Sequence, residues 1–163
     1  MTKSVQILST TEVEDRYVAQ HFYQMWLDNG IQPAEIQENW LAEILSFIKK
    51  ARRELQYQAF VAQVDNGIIG SVSCQLFSGL YPNILISNCR QYGYIWGVYV
   101  SPEYRRQGIG KQLVQQALKY LRSQGCTRAI LHTSPWGKPL YTQLNFVNSN
   151  EMQLDLNSIP IIT

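Results

Sequence analysis

The chain has 163 residues, a net charge of +2, 45% hydrophobic residues and 16% charged ones. That length suits a single domain over 1–163 with a real core, and the balance excludes a disordered chain or one built to grip a polyanion. No apolar run reaches the ~18 residues of a membrane span, and "MTKSVQILSTTEVEDRY" lacks the features of a signal peptide, so the expectation is a cytoplasmic protein with no membrane and no nucleic-acid partner.

"VQILST" (Val5 to Thr10) reads as a first strand. Glu12 to Leu27 carries Val13, Tyr17, Val18, Phe22, Met25 and Trp26 at the spacing of one helix face. Pro33 opens a second helix, with Ile36, Trp40, Leu41, Ile44, Leu45 and Ile48 turned inward, and "KKARR" (Lys49 to Arg53) complements the dipole at its end. "YQAFVAQV" and "IIGSVSCQLF" flank Asp65-Asn66-Gly67, a tight-hairpin signal with both central positions expected at positive φ. Ser78 to Gln91 is a long loop with room for a short edge strand around "ILI".

"YGYIWGVYV" (Tyr92 to Val100) is apolar at both alternating sets of positions, as a strand covered on both faces is. The following helix has Ile109, Leu113, Val114, Ala117, Leu118 and Leu121 on one face, and Gly125 ends it. "TRAILHT" is a strand, "GKPLYTQL" a short helix and "FVNSNEMQLDL" a last strand or hairpin arm. The order β-α-α-β-β-β-α-β-α-β makes an α/β fold, a mixed sheet with helices on it. Cys74, Cys89 and Cys126 show no paired spacing, and with only His21 and His132 besides, no metal site can be composed.

Between strand and helix lies "VSPEYRRQGIGKQLV" (Val100 to Val114). The first N–H groups of a helix lack intrahelical partners and carry partial positive charge, and glycines let a phosphate approach, so this turn is an anion cradle. A Walker A loop fails, since Arg105 stands at its first glycine and Gln112 at its Ser/Thr. A dinucleotide fingerprint fails because Leu113 replaces the third glycine.

The hexamer Arg105-Arg106-Gln107-Gly108-Ile109-Gly110 instead fits R-x-x-G-x-G. With "VYVSPEY" before it and an amphipathic helix after it, it resembles the acyl-CoA pyrophosphate loop of the GNAT N-acetyltransferase superfamily. "SPWGKPLYTQLNF" (Ser134 to Phe146) resembles that family's N-x-x-A-x-x-x-Y-x-x-x-G-F region, with Ser134 for Asn, Gly137 for Ala and Asn145 for Gly. The likeness is specific over Tyr92 to Phe146.

The resemblance implies a mostly antiparallel sheet that splays open, and acetyl-CoA as cosubstrate. The backbone of Val98, Tyr99 and Val100 would then pair with its pantetheine arm. Main-chain N–H groups from Arg106, Gln107, Gly108, Ile109, Gly110 and Lys111 would hold its diphosphate, with Ser134 a further contact and Tyr141 the acid toward the departing thiolate. Arg105 is either a charge partner of the diphosphate or a brace on Glu103.

No Asp or Glu lies in "YGYIWGVYV", so the general base has no obvious occupant. His132 titrates best, although a strand histidine is more often a core residue, and Tyr92 and Tyr94 could line a water path. Tyr23, Trp26, Asp28, Tyr81 and Trp136 are candidates for recognition. The implied activity is direct acetyl transfer to a primary amine of a small molecule or peptide, because no cysteine lies in either motif to carry the acyl group. A catalytically silent CoA-binding sensor is the alternative, and a homodimer through the last strands stays open.

Overall fold

A computed structural model describes residues 4–155. Its sheet runs β1 (Val5–Ser9), β2 (Gln58–Val64), β3 (Gly67–Leu76), β4 (Tyr92–Val100) and β5 (Arg128–Ile130), in that order across the sheet. The first four strands are antiparallel neighbours and β5 lies parallel to β4. Helices α1 (Asp15–Asp28), α2 (Trp40–Glu54), α3 (Ile109–Ser123) and α4 (Lys138–Gln143) complete the fold.

Two cores lie on opposite faces of the sheet. Ile109, Leu113, Val114, Ala117 and Leu121 of α3 bury against Val72, Cys74 and Ile95. On the other face Val18 of α1 and Ile48 and Ala51 of α2 bury against Tyr57, Ala59 and Val61, with Trp96 packed beside them. The strand expected to be covered on both faces is β4, and it is: Ile95 faces α3, while Trp96 meets Phe22 and Phe47 edge-on, at ring separations of 5.1 and 5.6 Å.

β4 carries one extra residue. Ser71 pairs with Tyr99 and Ser73 with Trp96, so Gly97 and Val98 together face Val72. Gly97 has φ +64°, a conformation that costs a residue with Cβ ~1–2 kcal/mol. The bulge inverts the alternation beyond it. Val98 and Val100 therefore turn toward α3, and Tyr99 turns toward His21 of α1, with rings 4.8 Å apart.

Several expected boundaries move. A 3₁₀ turn (Glu12–Glu14) precedes α1, closed by a capping box between Thr11 and Glu14, and this leaves Val13 79% exposed rather than on the inner face. Pro33 starts only a 3₁₀ turn ending at Glu35, because Gln32 N–H bonds the Glu35 carboxylate and Ile36 is extended; α2 begins at Trp40. In the hairpin only Asp65 takes positive φ, at +52°, and Gly67 already pairs with Val64.

The 78–91 loop forms no edge strand, and Ile84 is 91% exposed. The expected last strand does not form among residues 146–155 either. Met152 and Leu154 are exposed there, so no buried face holds that segment to the sheet.

His21 bonds the buried Ser71 hydroxyl at 2.9 Å, and burial pushes its imidazole down to about 4 from 6.5. The unfolded chain therefore takes up a proton near pH 6.5 that the folded chain refuses until about pH 4. Stability should be full above pH 6.5 and fall as pH drops toward 4. The partial exposure of His21 holds the loss to on the order of 2 kcal/mol. Urea midpoints measured across that window should show the slope, and His21→Gln should flatten it.

Candidate active site

The ladder between β4 and β5 has three pairs, Tyr92 with Arg128, Gly93 with Ala129 and Tyr94 with Ile130. Beyond Tyr94 the β5-facing edge of β4 has, among the described residues, no strand beside it, although "TRAILHT" reads as a longer strand. Val98, Tyr99 and Val100 lie on this open stretch. Tyr99 is buried, Val98 and Val100 half-buried, and the Val100 carbonyl accepts from Arg105 Nε at 2.8 Å.

β4 runs through a 3₁₀ turn (Pro102–Tyr104) into α3. Arg106 (φ +63°) and Gly108 (φ +80°) both take the left-handed conformation, which folds the backbone so that successive N–H groups converge. No side chain caps α3, and no atom lies within 4 Å of where a Cβ on Gly108 would project. Ser, Thr, Asp or Asn usually takes this position, so the donors here stay open to a ligand. Ile109 is buried and anchors the turn in the core, while Arg106, Gln107, Gly108 and Lys111 are exposed. Gly110 comes close to α4, with Leu140 Cδ2 3.5 Å from its projected Cβ.

Arg105 does not brace Glu103. Its guanidinium pairs with Asp28, the last residue of α1, at 2.5 Å and lies over the Tyr99 ring at 5.6 Å. Asp28 and Arg105 are 77 positions apart, and no local pattern announces the pair. It ties the end of α1 to the glycine turn.

Tyr141 sits on α4 against the α3-side core, and its rotation is set by the helix end. Asn145 (φ +64°) closes that end. Asn145 N–H bonds Thr142 O and Phe146 N–H bonds Tyr141 O, both at 3.0 Å, and the Tyr141 and Phe146 rings meet edge-on at 5.7 Å. This is a Schellman motif with its hydrophobic contact, so the Y-x-x-x-N-F spacing is a device for holding the tyrosine. Burial pushes its phenol up to about 12, and among the described residues its hydroxyl has no hydrogen-bond partner. Ser134 caps the approach to α4, its Oγ accepting from Gly137 N–H at 3.3 Å.

His132 is no core residue. It is 60% exposed, with Nδ1 2.8 Å from the Tyr94 hydroxyl and Nε2 2.7 Å from Glu151. The His132 and Gln153 hydrogen bonds hold the Glu151 carboxyl below its usual range. A carboxylate only accepts, so in the neutral imidazole Nε2 carries the proton and Nδ1 is left to accept from Tyr94. Glu151 lies 19 positions from His132 in a segment read as a strand, and sequence reasoning missed it. This chain of hydrogen bonds begins at Tyr94, where the β4–β5 ladder ends.

The recognition candidates disperse. Tyr23 stacks on Trp40 at 4.4 Å, Asp28 is held by Arg105, Trp26 is partly exposed beside Phe22, and Trp136 is 87% exposed. Tyr81 lies under Arg90.

Residues 19–146 match the sequence model of the acetyltransferase (GNAT) family. Over 108 residues, 66% of this chain and 70% of the relative, the sequence is 32% identical to a glucosamine 6-phosphate N-acetyltransferase of Trypanosoma brucei brucei. It is 33% identical over 66 residues, 40% of this chain and 39% of the relative, to a thialysine N-epsilon-acetyltransferase of Sus scrofa. In structure it is similar to a predicted acetyltransferase with acetyl-CoA from Clostridium acetobutylicum, with a TM-score of 0.81 and 18% identity, over 96% of this chain and 99% of that one.

The helix-end device makes a stability test. Asn145→Val places a β-branched residue in the left-handed region and should cost about 2 kcal/mol, whereas Asn145→Gly should be near neutral. Denaturant midpoints of the two variants measure the difference.

Proposed function

The chain belongs to the GNAT family of acetyltransferases, and from that premise we propose that it moves an acetyl group from acetyl-CoA to the primary amine of a small molecule by direct transfer. One observation carries the reading: the β4 edge opens after Tyr94 and leads, through the Pro102–Tyr104 turn, to an uncapped helix N-terminus.

The residues present fit the cosubstrate. Main-chain N–H groups from Arg106 to Lys111 would hold its diphosphate, with the Arg106 and Lys111 side chains screening charge, and the backbone of Val98 to Val100 would receive its amide-bearing arm. Arg105, already bound to Asp28 and Val100, shapes the turn more than it contacts a ligand. Ser134, engaged as an acceptor, retains a hydroxyl proton to donate. The bound coenzyme supplies the activated thioester; the protein supplies position and proton transfer.

Tyr141 serves the departing sulfur. A phenol raised to about 12 stays protonated throughout the neutral range and offers its hydrogen bond to negative charge as it develops. The burial that makes the phenol a weaker acid also raises a neighbouring thiolate's affinity for a proton, which keeps the donor and acceptor matched.

The amine must lose a proton, and Tyr94 with His132 accepts it. As the amine proton passes to the Tyr94 oxygen, the Tyr94 proton passes to His132 Nδ1, and Glu151 stabilises the imidazolium. The relay occupies the role for which β4 holds no carboxylate. Glucosamine 6-phosphate and thialysine, named for the relatives, are both small primary amines carrying an anionic group, and that class is the acceptor proposed here.

Release of free thiol from acetyl-CoA in the presence of an amine panel tests the activity. Turnover on small amines is expected, and tight CoA binding with no turnover on any amine would instead mark the silent sensor. Tyr141→Phe should lower kcat by about 10²- to 10³-fold with little effect on CoA affinity. Tyr94→Phe and His132→Gln should each lower kcat by at least about 10²-fold, and the double variant should lose little more than either alone, since they act in one chain. Full turnover in either single variant would remove the relay from the mechanism.

A further inference from the structure

Arginines stack on tyrosine rings in two different ways in this fold. Arg52 lies over Tyr57 and Arg105 over Tyr99, and each also holds a carboxylate, Asp15 and Asp28 respectively. Arg90 and Arg128 both lie over one ring, that of Tyr92, with guanidinium carbons 4.7 and 5.5 Å from its centroid. Arg90 also stacks on Tyr81, at 4.9 Å. Among the described residues, neither Arg90 nor Arg128 forms an ion pair.

Two cations beside one phenol, with no carboxylate among the described residues paired to either, make a positive patch that favours an anion. Guanidinium groups present paired donors that match the oxygens of a phosphate or carboxylate, and stacking on aromatic rings orients those donors before a ligand arrives. Arg90 comes from the end of the 78–91 loop and Arg128 from the start of β5, so the strand pairing itself brings them together.

Their place relative to the proton relay is set by the same ladder. Arg128 is the register partner of Tyr92, and Tyr94 is the last paired residue before the edge opens. Tyr92 and Tyr94 share a face of β4, about 6–7 Å apart along the strand. A small molecule whose amine and anionic group are separated by a comparable distance reaches both places at once. The closed end of the strand pair is then the acceptor's side and the open end the coenzyme's.

We propose that Arg90 and Arg128, gathered on the Tyr92 ring, bind the anionic group of the acceptor amine. This rests on the reading of the chain as an acetyltransferase for small amines and adds the group by which the acceptor is held.

Matched amine pairs test it: glucosamine 6-phosphate against glucosamine for a phosphate, and lysine against lysinamide for a carboxylate. The protein should favour the charged member of one pair by about 10- to 100-fold in kcat/KM, and the pair that responds identifies the anion. Arg90→Gln/Arg128→Gln should abolish that preference, and Arg90→Lys/Arg128→Lys should keep part of it. Calorimetric titration of the same amines onto the CoA-bound protein reads the site without turnover and should show the same loss of affinity.

Equal handling of charged and neutral members by the unmodified protein overturns the proposal, as does a preference that survives in the glutamine variant. If no amine is acetylated while arginine-dependent binding persists, the acetyl-transfer reading fails and the anion site stands.

Discussion

The early end of the ladder between β4 and β5 is the constraint on which the rest of the site depends. Three residue pairs hold the strands together, and then β4 continues paired with β3 on one edge and, among the described residues, with no strand on the other. Unpaired backbone in a strand is ordinarily a liability, because each exposed N–H and C=O seeks a partner. Here the open edge leads through the Pro102–Tyr104 turn to the uncapped start of α3, and Arg105 Nε takes up the Val100 carbonyl on the way. A longer β5 would close that edge and leave the glycine turn isolated.

The bulge at Gly97 works together with the opening. One extra residue reverses which side chains face which helix, so Val98 and Val100 seal the α3 core while Tyr99 reaches His21 on α1. Arg105 then stacks on Tyr99 and pairs with Asp28, which couples the glycine turn to the end of α1. The two faces of the sheet thereby take different tasks. The α3 face supplies the turn, the packed support and Tyr141; the α1–α2 face carries the aromatic ladder Tyr92, Tyr94 and Trp96, with the polar groups of His132 and Glu151 at its rim.

Much of this was legible in the chain. The element order from β1 through α4 is the one that apolar periodicity marks, since a helix or strand with one buried face repeats its apolar residues at its own period. The glycine turn stood out because glycines and cations precede an apolar-periodic run, and Tyr141 because "SPWGKPLYTQLNF" resembles a family motif; its place at a closed helix end came from the structure. The 3₁₀ turn at Pro33 was missed: proline permits a helix start without requiring one, and a local capping box closed the turn first. The last strand was expected but does not form among residues 146–155, because alternation along "EMQLDL" shows a preference for extended backbone and says nothing about what it pairs with.

What the sequence by itself determined is therefore most of the inventory: the order of helices and strands from β1 to α4, and the glycine turn and the helix-ending Asn145 within it. These follow from properties of neighbouring residues. Tertiary structure alone decided the pairings: Arg105 with Asp28, Tyr94 with His132 and Glu151, and Arg90 and Arg128 on one ring. Each joins side chains from different elements, and Coulomb attraction or stacking over a few ångströms leaves no periodic trace along the chain. The stopping point of β5 belongs to the same class, because the length of a ladder depends on two strands and on the helices packed over them.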